Sequence, residues 1–154
     1  MKRIILMLVL VLLLVGCSSK AFFEEKVIND DNGVLVVLEN TNGMFITTFD
    51  KENKKTTQAS FSNKSLDTDN IHVRADLKDK ITRIFHKEEN TFMEKCAIDT
   101  DTREAKKYTD CSTEDFALGI RLIESFDEII KKSKMSEEEI FDRINELAEV
   151  EFNK

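Results

Sequence analysis

Near residue 112 the chain changes the rhythm of its apolar residues, and that change restricts the fold more than any other feature. Before it, short β-rich runs alternate with polar turns. Val34-Leu35-Val36-Val37-Leu38 leads through Asn40-Thr41-Asn42-Gly43 to Met44 to Phe49, and Asn-Gly between such runs signals a hairpin because both residues accept positive φ. Thr56 to Phe61 is a weaker run after the charged turn Asp50 to Lys55, and Asn63 to Asn70 reads as a loop. Ile71 to Ala75 and part of Lys80 to His86 alternate with period two. The turn Lys87-Glu88-Glu89-Asn90 opens a further strand, Thr91 to Ile98. Beyond the polar Asp99-Thr100-Asp101-Thr102, Ala105 to Thr109 reads as its hairpin partner. Ser18 to about Asn32 reads as a tether or a partly paired first segment.

After residue 112 the spacing becomes helical. Ser112-Thr113-Glu114-Asp115 supplies a cap and early acidic residues, then Phe116, Ile120, Ile123, Phe126 and Ile130 recur every three or four residues. Lys131, Lys132 and Lys134 close that helix at its negative end. Ser136-Glu137-Glu138-Glu139 is a capping-box pattern, followed by Ile140, Ile144, Leu147 and Ala148 on one face, with Phe141 and Phe152 beside it. The expected fold is therefore α+β: an antiparallel β-meander of about five to seven strands followed by a C-terminal two-helix hairpin.

The first residues carry an address. Met1-Lys2-Arg3 precedes an apolar run from Ile4 to Val15, then Gly16 and Cys17, the layout of a secretory signal peptide. Twelve apolar residues rise only about 18 Å as a helix, well short of the roughly 30 Å hydrocarbon core that a spanning helix must cross. Leu14-Val15-Gly16-Cys17 resembles the lipobox of bacterial lipoproteins. The resemblance covers the first 17 residues and leaves the later fold unaddressed. It implies removal of residues 1–16 as a signal peptide, a diacylglyceryl group on the Cys17 thiol, and palmitate-type acylation of the new amino terminus. Residues 17–32 would then be the lipidated cysteine and tether, and 33–154 a single α+β domain. Two or more chains anchor stably where one binds marginally. Ser18 after the cysteine goes, in two-membrane bacteria of this family, with sorting to the outer membrane; otherwise the expected location is the cell membrane.

With Cys17 assigned to the lipid, Cys96 and Cys111 remain as an even pair in an exported chain, where disulfides persist. Folding the 91–109 hairpin about its middle brings Cys96 opposite or nearly opposite Cys111, so a disulfide is expected. Loss of Lys2 and Arg3 would turn the net charge of −7 into −9. Such a chain is repelled by nucleic acid and by anionic head groups, so no nucleic-acid partner is expected, and membrane contact should run through the lipid on Cys17.

Catalytic patterns are weak. His72 and His86 lie 14 residues apart on expected strands, and Ser60, Ser62 and Ser65 sit in polar turns without a Gly-x-Ser-x-Gly elbow. Gly33, Gly43 and Gly119 form no phosphate-cradling loop. Asp99-Thr100-Asp101-Thr102-Arg103-Glu104 superficially resembles a calcium loop, yet Arg103 occupies a ligand position and no glycine follows it. No metal, cofactor or catalysis is expected. The expected role is a lipid-anchored binding or assembly-accessory module in the cell envelope, its partner meeting the apolar and acidic C-terminal helices. The alternatives are a structural surface lipoprotein without one specific partner, and an envelope hydrolase.

Overall fold

The computed structural model describes residues 21–31 and 33–154. The signal segment 1–16, the lipobox and Cys17 lie outside the described residues. Seven strands, β1 (Glu24–Asp30), β2 (Gly33–Asn40), β3 (Gly43–Phe49), β4 (Thr56–Ser62), β5 (Ile71–Asp76), β6 (Ile81–Glu88) and β7 (Thr91–Asp99), precede two helices, α1 (Thr113–Ser133) and α2 (Glu137–Phe152). The strands follow one another in space in chain order, every neighbour antiparallel. This is the α+β meander and helical hairpin that the change of period predicts. Among the described residues, no helix is long and apolar enough to cross a membrane.

Alternation divides the sheet into two unlike faces. Val34, Val36 and Leu38 of β2, Phe45 and Phe49 of β3, Phe61 of β4, Val73 and Ala75 of β5, and Ile84 of β6 point to one side and are buried. Helix α1 lies across β3, β5, β6 and β7 on that side, and α2 lies along β1 and β2. Each helix contributes a stripe: Leu118, Leu122, Ile123, Phe126 and Ile129 from α1, Ile140, Ile144 and Ala148 from α2. Phe45, Phe61 and Phe126 meet with ring centroids 5.1 to 5.9 Å apart, and Phe23 closes the cluster edge-on to Phe45 at 5.8 Å.

The helices begin as their sequences specify. Ser112 accepts from the Asp115 amide, and Ser136 forms a complete capping box with Glu139. The Glu139 carboxylate is held below its usual range by the Ser136 backbone N–H. Lys134, with φ of 57°, turns the chain out of α1.

Three expectations change. First, of the two readings of the segment before residue 33 the paired one holds, so the folded domain starts earlier than 33: β1 pairs with β2 along its length, from Glu24↔Glu39 to Asp30↔Gly33, and Phe23 is buried. β1 is an edge strand exposed everywhere except the half-buried Val27, so it lacks the apolar alternation that would mark it as a strand. Second, Ala105 to Thr109 is no strand. Ala105 bridges to Ile98, and the segment otherwise clings to β7 through Lys106 N–H on the Ala97 carbonyl and the Thr109 hydroxyl accepting from the Ala97 N–H. Third, the Asn40–Gly43 turn uses no positive φ. The Asn40 side chain closes it by accepting from the amides of Asn42 and Gly43. Glycine is needed at 43 for space: a Cβ there would lie 2.5 Å from the Phe61 ring and 2.7 Å from Ile129. Gly119 likewise lets α1 approach Ile98, whose Cδ1 would lie 2.5 Å from an added Cβ.

Cys96 of β7 and Cys111 are joined by a disulfide with Cα atoms 4.6 Å apart, which ties the start of α1 to the middle of the last strand.

Candidate functional site

The two histidines fall on opposite faces. The register sets Ile71 against His86 and His72 against Phe85, so His86 points toward the helices and His72 away from them. Each finds an aspartate, and the two pairs build different sites.

On the helix side, His86 Nε2 lies 2.7 Å from Asp115 Oδ1, and the Ser112 hydroxyl donates to Asp115 Oδ2 at 2.9 Å. Asp115 is buried in the first turn of α1, where the positive end of the helix favours a carboxylate. These groups edge a cleft of about 310 Å³ with Leu66, Leu118 and Arg121. The order of contacts is serine to aspartate to histidine. A Ser–His–Asp relay instead needs the imidazole against the hydroxyl, where it can take the proton. Here the carboxylate stands between them, and the arrangement caps a helix and pins it to β6.

On the opposite face, Leu35 and Ile46 of the first strands are half-buried, and the β5–β6 region forms a cup of about 420 Å³. Asp67, Thr68, His72, Arg74, Phe85 and Phe92 line it. His72 Nδ1 is 3.1 Å from Asp67 Oδ2, while Asp67 Oδ1 accepts from the Val73 amide. The His72 ring lies 6.1 Å from both Phe85 and Phe92, and the Arg74 guanidinium sits 5.5 Å over Phe85. Phe92 is 47% exposed at the rim. A β-bulge between Ile84 and Phe85, where Lys95 is the extra residue of β7, reshapes the ladder beside the cup.

Other candidate residues serve the fold. Asp99 accepts from Lys106 at 2.6 Å and from the amides of Asp101 and Thr102. Its carboxyl is lowered to about 2, first by Lys106 and then by the Thr102 backbone. Asp101 pairs with Lys80 at 2.9 Å, so the acidic run is a turn with both aspartates engaged. Ser60 and Ser62 are buried in β4, and Ser65 donates to Asn63 in the following loop. The apolar stripe of α2 packs on the sheet, leaving Leu147 and the 62% exposed Val150 beside a hollow of about 430 Å³. His72 was a visible candidate, but Arg74, Phe85 and Phe92 were not, because their convergence depends on the pairing of three strands.

No protein-family model, curated protein or solved structure matches the chain.

Proposed function

We propose that the protein is a lipid-anchored component of the bacterial cell envelope that acts by binding rather than catalysis. The observation that carries the binding role is the unequal sheet: both helices serve one face, and the other presents half-buried apolar residues and the aromatic cup. A face of this kind suits a partner that covers it in place of a third layer. The anchor reading rests on the lipobox resemblance. On that reading Phe23, the first buried residue among those described, follows Cys17 by six peptide steps, which reach at most about 20 Å. The bilayer would then lie near the end of the sheet that holds the Asn40–Gly43 turn, the 63–70 loop and the β6–β7 turn.

Two measurements test this. Radiolabelled palmitate should enter the wild-type chain, and Cys17→Ser should lose both label and membrane fractionation. A photo-cross-linker replacing Ile46 should trap one discrete envelope component in intact cells. A cross-linker at Glu146, beside Val150 on α2, covers the reading in which the C-terminal helices meet the partner. Diffuse adducts from both positions would favour a structural surface lipoprotein and overturn the binding role.

A further inference from the structure

Arg74 and Arg83 oppose each other directly across β5 and β6, an arrangement that destabilises a sheet unless the charges are answered. Arg83 is answered by three carboxylates: Glu94 at 3.0 Å, Asp76 at 3.5 Å and Asp79 at 3.9 Å. Arg74 has no carboxylate partner among the described residues. Its one cation–π contact is the Phe85 ring, and its Nε is buried without a hydrogen-bond partner. A ring face attracts the cation but leaves the five N–H donors of a guanidinium largely unmet. Such a donor group, pre-positioned by stacking, matches the paired oxygens of a carboxylate or phosphate. The nearby Asp67 opposes an anion least where it stands, since one oxygen is held by His72 and the other by the Val73 amide. The remaining wall is aromatic apart from Thr68, and Phe92 is exposed at its rim.

We propose that this cup binds a small organic anion, a carboxylate or phosphate carried on a flat apolar body. The anionic group lies on Arg74, and the body rests against Phe92 and His72. The volume of about 420 Å³ falls within the range of ordinary small-molecule sites. The inference names a ligand class for the binding face and so rests on that face being the working surface, but it needs neither the lipid nor a protein partner.

The test is calorimetric titration of the full chain, held in phosphatidylcholine nanodiscs, with phenyl phosphate. Empty discs are the blank, and benzamide and inorganic phosphate supply the ring and the anion separately. Phenyl phosphate should bind, with each half at least about tenfold weaker. Arg74→Gln should weaken phenyl phosphate about tenfold and leave benzamide unchanged. Phe92→Ser, at an exposed position that does not threaten folding, should weaken phenyl phosphate and spare inorganic phosphate. Nanodiscs containing anionic phospholipid distinguish the source: unchanged phenyl phosphate binding there supports a soluble ligand, whereas loss of binding identifies a membrane head group, which has no flat apolar body, and overturns the proposal. Absence of binding, equal binding of inorganic and phenyl phosphate, or wild-type affinity in Phe92→Ser would overturn the proposal. If the Ile46 adduct persists after such a result, the ligand class alone has failed. If phenyl phosphate binds while Cys17 takes no palmitate, the anchor reading alone has failed.

Discussion

Thr47 shows how a single side chain can be out of place in a sound core. It lies on the helix-facing side of β3, is 1% exposed, and its hydroxyl has no hydrogen-bond partner. Threonine at 47 costs desolvation without a compensating bond, whereas valine keeps its shape. Thr47→Val is therefore expected to stabilise the protein by about 1 kcal/mol, read as a higher urea midpoint at unchanged slope. An unchanged or lower midpoint would show that the hydroxyl is satisfied in solution. The sequence allows no such distinction, because the alternation marks 45, 47 and 49 as one face without naming what each side chain meets. Gly43 teaches a related lesson. Asn-Gly signals the turn correctly, but the reason for glycine is the Phe61 ring and Ile129 above it, supplied by residues far along the chain.

Among the elements, the helices were the most legible and β1 the least. Caps, periodic apolar residues and closing lysines are local signals, and α1 and α2 begin where Ser112 and Ser136 place them. β1 is held at the edge mainly by its pairing with β2 and by contacts such as the Arg143–Glu25 ion pair at 2.7 Å, none of which leaves a pattern in Glu24–Asp30. Asn29 adds a hydrogen bond to Glu151 at 3.1 Å. The β7–α1 connection is the element most dependent on a covalent link. The Cys96–Cys111 bridge closes a loop with a sequence separation of 15. In the chain-entropy model a loop of that size contributes about 3 kcal/mol. Cys96→Ala/Cys111→Ala is expected to lower the denaturation midpoint accordingly, and a reducing agent should lower the wild type but not the double variant. Equal sensitivity to reductant in both would show that the bridge does not form.

For the whole molecule, acidic groups set the response to pH. The carboxyls of Glu25, Glu39 and Glu151 are lowered chiefly by hydrogen bonds from Arg143, Lys64 and Lys154, and that of Asp99 falls to about 2 beside Lys106. Lowered folded-state values mean that the unfolded chain binds more protons, so this stability is present above about pH 4.5 and is lost as pH falls toward 2. Urea midpoints should fall steadily from pH 5 to pH 2, and Asp99→Asn should differ from wild type at pH 5 but converge with it near pH 2. A flat profile would remove these pairs from the stability of the fold. The sequence by itself determined the α+β class, the meander, both helix starts and an acidic surface, because period, caps and charge act within a few residues. It also carries the lipobox resemblance from which the envelope reading comes. Only the tertiary structure decided that β1 belongs to the sheet, that the histidines face opposite ways, and that Arg74 meets the Phe85 ring instead of a carboxylate. Those outcomes depend on register and on which edge each strand finds, and register is set by packing between segments that do not adjoin in the chain.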